Sequence, residues 1–418
     1  MNRNVFFIFA LLMLCCSNVG HAQSYRRLSV DSIIQQYYNP ERGFFQKAGF
    51  DKDNPRFMME NEDGSFKFGV GGFVNVLSQL DYGGIENIDF VTSQIQIPTH
   101  RDPRFLISPY QTRFNFKVVG QDAKKRNVVA FIEAGYNGTN ISLRHAYVSY
   151  AGFTIGQTWS AFMDLEADLS LIDGEGPNNQ IGLRVPMIRY SYHSDRWDFS
   201  IAGEIGNYLF EFAEQRYGFF PQNQIIPNIP MHIKYRDKWG HVQLGAVFKV
   251  MNYGDSATNE TVYILGGGGS LSGTFNVWKG GLLCYQFIAG KGIGNYINDL
   301  SAFNYDLIPV PDEHGHMTMT TLEMYGGYVG LQHFWTPTLS SNVVYGMTYL
   351  KPPTLPPLPR EFTYGNLYNS AHYLAANLLW NFIPYGRIGV EYLFGKKTNL
   401  QGKSGVNHRI NVGVRYNF

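Results

Sequence analysis

The chain has 418 residues, of which 44% are hydrophobic and 16% aromatic, and its formal net charge is only +1. A charge so close to neutral excludes a strongly basic nucleic-acid-binding protein. No segment after the N-terminal residues approaches the run of about eighteen apolar residues that a membrane-spanning helix needs, which excludes a helical membrane protein.

Residues 1–22 have the layout of a secretory signal peptide. A basic residue precedes an apolar stretch, 5–16, and the small-residue site VGHA follows. Cys15 and Cys16 leave a lipoprotein signal open as an alternative, although the residues before them are not the small ones that such signals prefer. Removal of this segment leaves Cys284 as the one thiol, so the exported chain is expected to fold without an internal disulfide.

Residues 23–65 are predicted to form a short periplasmic segment, in which only SVDSIIQQYY (29–38) has the spacing of an amphipathic helix. From residue 66 onward, apolar and polar residues alternate with period 2, which indicates a sheet with one apolar face. Strand-like runs occur at 66–76, 110–119, 186–194, 196–205, 229–236, 241–250, 373–382 and 386–395.

The connections between strands alternate between short and long. The long ones are predicted near 81–109, 137–141, 159–185, 207–228, 251–268, 292–319, 351–371 and 396–407, with 137–141 allowed as a tight turn. Eight long and seven short connections imply about sixteen strands, with both termini on one side. Outer-membrane barrels show this asymmetry, and closure removes the sheet edges that lipid would otherwise meet. We therefore predict an all-β fold, a transmembrane antiparallel β-barrel over 66–418, in the outer membrane of a Gram-negative-type bacterium.

The chain ends in RINVGVRYNF (409–418), which alternates without exception. Arg409, with the other odd positions, is expected to face water, and the even positions are expected to face lipid. Tyr416 and Phe418 are predicted to lie in the periplasmic aromatic girdle. A terminal aromatic residue on such a strand also resembles the signal that the outer-membrane assembly machinery reads.

A barrel of about sixteen strands is wide enough to hold an aqueous channel. Bases on the polar parity outnumber acids about two to one, which favours entry of small anionic solutes, and arginine can bind a carboxylate in a two-pronged geometry. The bases assigned inward are Lys67, Arg113, Lys117, Arg189, Lys234, Arg236, Lys249, Arg387, Arg409 and Arg415. The acids assigned inward are Glu133, Asp198, Glu204, Glu323 and Glu391. Lys67 and Arg236 are expected at strand ends, where they solvate a mouth.

The third long connection, 159–185, is too apolar for a free surface loop and is also acidic. We expect it to fold into the lumen and narrow the channel; a lid or an oligomer contact is the alternative. Its carboxylates are then expected to face basic residues of the wall. These carboxylates are Asp164, Glu166, Asp168, Asp173 and Glu175.

The segment LRHAYVSYAGFTIGQTWSAFMD (143–164), with RVPMIRYSY (184–192) and TRFNF (112–116), resembles the DcaP-like family of trimeric outer-membrane porins. The resemblance implies a homotrimer of sixteen-stranded barrels that passes small anions, dicarboxylates in particular, without a cofactor. By position it implies substrate-binding arginines at Arg113, Arg144, Arg184 and Arg189. The parity of Arg144 stays ambiguous, because His145 and Ser149 compete for the inward face.

Other motifs are weaker. DEHGHM (312–317) could hold a divalent metal but is typical of a solvated loop, and KPPTLPPLPR (351–360) could bind a partner but is typical of a stiff loop. No HExxH or GxSxG motif is present, so an enzyme is not expected. A non-selective porin and an adhesin or receptor acting through its loops remain alternatives.

Overall fold

The computed structural model describes residues 26–27, 57–100, 102–206, 218–256, 258–301, 306–312, 314–351 and 368–418. The predicted signal peptide (1–22) and the predicted amphipathic helix (29–38) lie outside these residues. Within the N-terminal segment, strand Arg26–Arg27 pairs with strand Phe57–Glu60, which in turn pairs with residues 67–70.

Sixteen antiparallel strands form a closed barrel, because the last strand pairs with the first from Arg409↔Asp81 to Asn417↔Phe73. In chain order the barrel strands are β1 Phe66–Asp81, β2 Arg113–Gln121, β3 Asn127–Tyr136, β4 Ile141–Tyr150, β5 Phe153–Trp159, β6 Arg184–His193, β7 Trp197–Glu204, β8 Ile229–Asp237, β9 Gly240–Asp255, β10 Glu260–Trp278, β11 Gly281–Lys291, β12 Glu323–Phe334, β13 Leu339–Lys351, β14 Tyr368–Ile383, β15 Gly386–Asn399 and β16 Ser404–Asn417. The predicted fold class and strand number are confirmed.

Several short elements lie in the connections at one end of the barrel. Strand Arg104–Ser108 pairs with the end of β1, and strand Phe219–Pro221 pairs with the end of β9. A separate hairpin joins Leu307–Pro311 to Met317–Thr321. The described helices are the 3-10 turns Thr92–Gln94, Leu165–Ala167 and Gly294–Tyr296. Within the described residues, none of these helices has the length and apolar character required to cross a membrane.

The alternation of the last strand has the predicted orientation. Arg409 and Asn411 are fully buried on the inward face, whereas Ile410 is 40% exposed and Phe418 is 45% exposed on the outward face. The backbone of Phe418 exchanges two hydrogen bonds of 3.0 Å with Gly72. The last strand therefore presents apolar side chains to lipid and polar side chains to the lumen.

The seven connections that were predicted to be short all lie at one end, at 122–126, 151–152, 194–196, 238–239, 279–280, 335–338 and 384–385. Some connections at the other end, such as 137–140 and 400–403, are short as well. The end with these seven connections carries outward aromatic residues in contact: the ring centroids of Trp197 and Tyr235 are 4.8 Å apart, and those of Trp239 and Phe275 are 5.0 Å apart. Such a girdle marks the periplasmic interface of a barrel.

Two of the predicted long connections are wrong. Instead, β9 continues to Asp255 and β10 begins at Glu260, while β15 continues to Asn399 and β16 begins at Ser404. Where strands rise above the apolar part of a membrane, both of their faces can be polar, so the alternation that marked them lower down disappears. The prediction of a tight turn near 137–141 is confirmed by the connection 137–140.

Part of the barrel interior is filled by apolar side chains from the connections. Phe162, Ile297 and Leu300 are fully buried and pack with wall residues that include Val247 and Ile288. Burial of each such side chain stabilises the fold by about 1.5–3 kcal/mol. Part of the lumen is therefore filled by packed side chains, and the barrel is not an open tube.

Candidate functional site

The connection 160–183, called the inner loop below, lies against the inside of the barrel wall. The Glu391 carboxylate of β15 accepts backbone N–H bonds from Ile172 at 2.9 Å and Asp173 at 2.6 Å. The side-chain amides of Asn342 and Asn377 both donate to the Ser170 carbonyl, at 2.9 and 3.0 Å. These contacts confirm that the loop folds inward.

The first two acids of the inner loop fasten it to the wall. Asp164 accepts hydrogen bonds from Lys234 and from Ser272, each at 2.8 Å, and its carboxylate is 2.8 Å from His241 Nε2. Glu166 accepts hydrogen bonds from Lys234 at 3.0 Å and from Arg236 at 2.8 Å. Although burial alone raises the pKa of Asp164, these bonds with His241 and Lys234 hold it below its ordinary value. Both acids therefore anchor the loop to β8–β10.

The later acids of the inner loop lie with Asp89 from the connection 82–103. Asp173 accepts bonds from the Phe90 N–H and the Tyr373 hydroxyl, each at 3.0 Å. Loss of hydration raises the pKa of Asp173 and of Glu175, and loss of hydration together with Asp173 raises the pKa of Asp89 to about 6. Asp89, Asp173 and Glu175 are called the lumen carboxylates below. Asp168, the fifth acid, accepts a bond of 3.1 Å from Gln180.

The described parts of two further connections, 82–103 and 292–322, also fold inward, and the sequence interpretation missed both. The Thr92 hydroxyl donates to Asn178 of the inner loop at 2.9 Å, and Asp299 accepts the Asn179 N–H at 3.2 Å. Their sequence signal was the apolar residues among polar ones, which are buried here: Ile85, Phe90, Ile95, Ile293, Tyr296, Ile297 and Leu300.

Lys249 and Arg409 were expected to line the channel, but the structure buries both completely. Lys249 Nζ binds Asp306 at 3.0 Å and Asn295 at 2.7 Å. Arg409 binds Asp81 at 2.8 Å and donates to backbone carbonyls of the connection 82–103. Both residues fasten connections to the wall, so they are removed from the candidate permeation path.

The other inward arginines form one continuous group on β15, β16 and β2–β6, called the arginine wall. Its members are Arg113, Arg144, Arg184, Arg189, Arg387 and Arg415. The guanidinium groups of Arg113 and Arg415 lie 5.3 and 4.2 Å from the ring of Phe73 between them. Arg184 stacks 4.5 Å from the ring of Trp159, whose carbonyl accepts a bond of 3.2 Å from Arg189.

Glu133 is the acid that the structure places within this wall. Its carboxylate lies 3.0 Å from Arg144 and 3.5 Å from Arg113. The positive charges of Arg144 and Arg113 both act on Arg184. Further carboxylates act on the wall from its edges, Glu391 on Arg387 and Asp89 on Arg144. The six guanidinium groups still leave this wall with an excess of positive charge.

A β-bulge resolves the ambiguous parity of Arg144. The pairing of β3 and β4 shifts register between Glu133 and Ala134, so that Arg144 is the extra residue. A bulge lets two successive side chains face one side. Arg144 accordingly reaches Glu133 while His145 bonds Thr158 at 3.0 Å, and both lie on the inward side.

Lys117 lies on the inward parity of β2, beyond Arg113 and Asn115 toward the periplasmic turn, and is partly exposed. Glu323, which was assigned inward, faces outward instead. Its inward neighbours Met324 and Tyr328 are buried. At this height the connections pack inside the barrel, so the inward residues of β12 are apolar and a charged residue faces outward. This is the reverse of the pattern in the membrane-spanning part of the strand.

Residues 117–418 match the family model described as DcaP outer membrane protein. The chain belongs to this family. It is therefore an outer-membrane porin, a channel and not an enzyme, as the sequence predicted. No curated protein matches the sequence.

Solved structures share the barrel. The outer membrane channel DcaP of Acinetobacter baumannii superposes with a TM-score of 0.71 at 20% identity, covering 86% of this chain and 99% of that chain. An anion-selective porin from Comamonas acidovorans gives 0.59 at 12% identity, covering 84% and 100%. A trimer form of OmpT from Vibrio cholerae gives 0.52 at 10% identity, covering 85% and 100%. At these identities the likeness establishes the fold of a sixteen-stranded porin.

Proposed function

We propose that this porin passes small anions in preference to cations, and dicarboxylates in particular. The observation that carries the proposal is the arginine wall, in which Glu133 is the carboxylate placed against several guanidinium groups. A positively charged lining attracts anions into a pore and disfavours cations.

The pairing of the remaining inward charges strengthens this proposal. Lys234 is neutralised by Asp164, Lys249 by Asp306 and Arg409 by Asp81. These pairs hold connections in place and contribute little net charge to the passage. The excess of bases in the sequence is thereby concentrated in the arginine wall.

The wall and the inner loop together suit an anion with two carboxylates. The negative charges of Glu133 and of Asp168 both act on Arg113, so an acid of the inner loop lies near the wall. A dicarboxylate exchanges hydration for guanidinium hydrogen bonds, which are geometrically suited to carboxylate. It leaves again because the contacts are spread over several residues in a wet passage.

Selectivity of the reconstituted channel tests the proposal. The wild type should prefer chloride over potassium in a salt gradient, and succinate should block its current. Replacing Arg113 and Arg189 by alanine should shift the reversal potential toward cations. Loss of one charge-assisted hydrogen bond, about 1.5–3 kcal/mol, should weaken the succinate block roughly tenfold or more.

Arg126 and Arg196 provide a matched control, because both are exposed at periplasmic turns with side-chain exposures of 49% and 64%. Their double alanine variant should retain wild-type selectivity. A wild-type channel that prefers potassium would contradict the proposal. Equal passage of both ions without succinate block would favour a general porin, and absence of conductance would favour an adhesin or receptor.

We also propose a homotrimer that associates through the outward faces of β3–β5. Small residues on these faces, Ala130, Ala134 and Ala146, suit close contact between barrels. Closed cyclic symmetry is the usual arrangement of homo-oligomers, and one of the similar structures is a trimer form of its own protein.

Native mass measurement in mild detergent should give three times the chain mass. Ala130→Trp should reduce the trimer by steric clash, whereas Leu265→Trp, on the outward face of β10, should not. Monomers alone in the wild type would refute the assembly, and equal effects of the two variants would refute the assigned face.

A further inference from the structure

The outward face of the barrel carries charge at its outer boundary on β11–β16. Lys291 of β11 and Lys351 of β13 lie on either side of Glu323 of β12, with N–O distances of 2.6 and 2.9 Å. Three residues that are aligned in register thus form one ionic row on the lipid-facing surface, with one positive charge in excess.

The row continues around the barrel. His372 of β14 is the register partner of Lys396 of β15, and His408 lies on the outward parity of β16. Lys291, Lys351, His372, Lys396 and His408 are called the outer basic belt. Tyr345 OH is 2.7 Å from His372 Nδ1, and Tyr392 OH is 2.7 Å from His408 Nδ1. Each tyrosine orients a ring whose Nε2 is left for another partner.

The belt lies at the height of the outer membrane interface. A tilted transmembrane strand crosses the apolar core in about 9–11 residues. Lys291, Lys351 and Lys396 follow the periplasmic turns 279–280, 335–338 and 384–385 by about that length. The side chains of the belt are therefore level with lipid head groups, above outward apolar residues of the same strands.

The rest of the circumference is different. At the same height, the described outward residues of β1–β10 and of the short strand beside β1 are uncharged, for example Ile107, Ile141, Leu143 and Leu265. Charged residues at this height are not needed to keep the barrel in the membrane, because β1–β10 have an uncharged outward surface there. The asymmetry points to a specific ligand of the charged side.

We propose that the outer basic belt binds the phosphate groups of the phosphorylated glycolipid of the outer leaflet. The charges are complementary, since the compact positive charge of a lysine ammonium group attracts phosphate and a histidine Nε2–H can donate a hydrogen bond to the phosphate oxygens. The acyl chains then lie on outward apolar residues below the belt, including Val343, Leu378 and Val390. This inference concerns the outer surface and does not depend on the selectivity of the channel.

Binding of lipid A to the purified full-length protein in neutral detergent tests the proposal. Native mass spectrometry should show bound lipid A carrying two phosphates and little bound dephosphorylated lipid A. Each basic residue near an anionic membrane surface contributes about 1 kcal/mol, a factor of about five in affinity. The double variant K351Q/K396Q should therefore bind lipid A roughly twentyfold more weakly.

Lys238 and Lys279 are exposed at the periplasmic turns and supply a matched control. The variant K238Q/K279Q should bind lipid A like the wild type, and E323Q, which removes the acid of the belt, should bind it more tightly. Equal binding of the phosphorylated and dephosphorylated lipids overturns the proposal, as does equal weakening in the control. A change of oligomeric state in K351Q/K396Q without lipid also overturns it, because the belt is then a contact between copies.

Discussion

We expect the Lys234→Met variant to conduct several times more current per open channel than the wild type. Its ammonium group binds Asp164 at 2.8 Å and Glu166 at 3.0 Å, and its side chain is 8% exposed. Breaking a buried ion pair by removing one partner costs about 3–5 kcal/mol. Asp164 then keeps its contacts with Ser272 and His241, which offset part of that cost. We expect the remainder to loosen the start of the inner loop from β8–β10.

The barrel itself should survive this substitution. The strands adjoining Lys234 keep their backbone pairing, so the unboiled protein should still migrate as a folded barrel on a gel. Single-channel recordings should then show higher and noisier conductance, together with weaker discrimination between ions. The matched variant Lys238→Met removes an exposed lysine just beyond the same strand and should leave conductance unchanged.

A second substitution separates loss of the anchor from a general defect. In Asp164→Asn/Lys234→Met both charges are removed, and replacing a buried pair by neutral residues is often tolerated. The double variant should therefore recover much of the wild-type conductance. Unchanged conductance in Lys234→Met would show that the inner loop is held by its other contacts, such as Glu391 with Ile172 and Asp173.

The sequence predicted the barrel well because lipid imposes a simple rule on it. Strands in the apolar core must show one face to hydrocarbon and close without edges. Period-2 runs such as 229–236 and 386–395 therefore correspond to observed strands. Above the membrane this rule no longer applies, and there the predicted long connections 251–268 and 396–407 proved to be strands.

The residues that line the channel were harder to predict, because a basic residue on the inward face can either line the channel or fasten a connection to the wall. Arg113 and Arg409 lie on the same kind of inward position, yet Arg409 is buried under the connection 82–103 while Arg113 belongs to the arginine wall. Only the folded connections decide which inward base is buried completely and which, like Arg113 with 12% of its side chain exposed, keeps part of its surface. The β-bulge at Arg144 also changes which side chains of β4 face inward, and the period-2 pattern of the sequence does not show such a change.

The lumen carboxylates should make the anion preference depend on pH. Loss of hydration and the neighbouring Asp173 raise the pKa of Asp89 to about 6. Hydration loss also raises the pKa of Asp173 and of Glu175, the latter further because of the adjacent carboxylates. Protonation below these values removes negative charge beside the arginine wall. The ratio of chloride to potassium permeability should therefore rise as the pH falls from about 7.5 to about 5.

The raised pKa of Asp89 also determines how the stability of the folded protein changes with pH. The folded protein holds the Asp89 proton more tightly than the unfolded chain, for which the ordinary pKa is 3.8. The stabilising contribution is present below that ordinary value and is lost as the pH rises through about 6. Unfolding of the protein in detergent should therefore become easier across this window, and Asp89→Asn should reduce the change.

Three variants test whether Asp89 is the responsible group. Asp89→Asn should raise the anion preference at about pH 7.5 and reduce its change between about pH 5 and 7.5, because the charge of Asp89 no longer appears on deprotonation while Asp173 and Glu175 remain. Tyr110→Phe removes the hydroxyl that donates to Asp89, so the midpoint of the pH response should move upward. Asp102→Asn removes a carboxylate of the same connection whose side chain is 86% exposed, and it should respond like the wild type. A pH response that survives unchanged in Asp89→Asn would assign the titration to another group and reject Asp89 as its source.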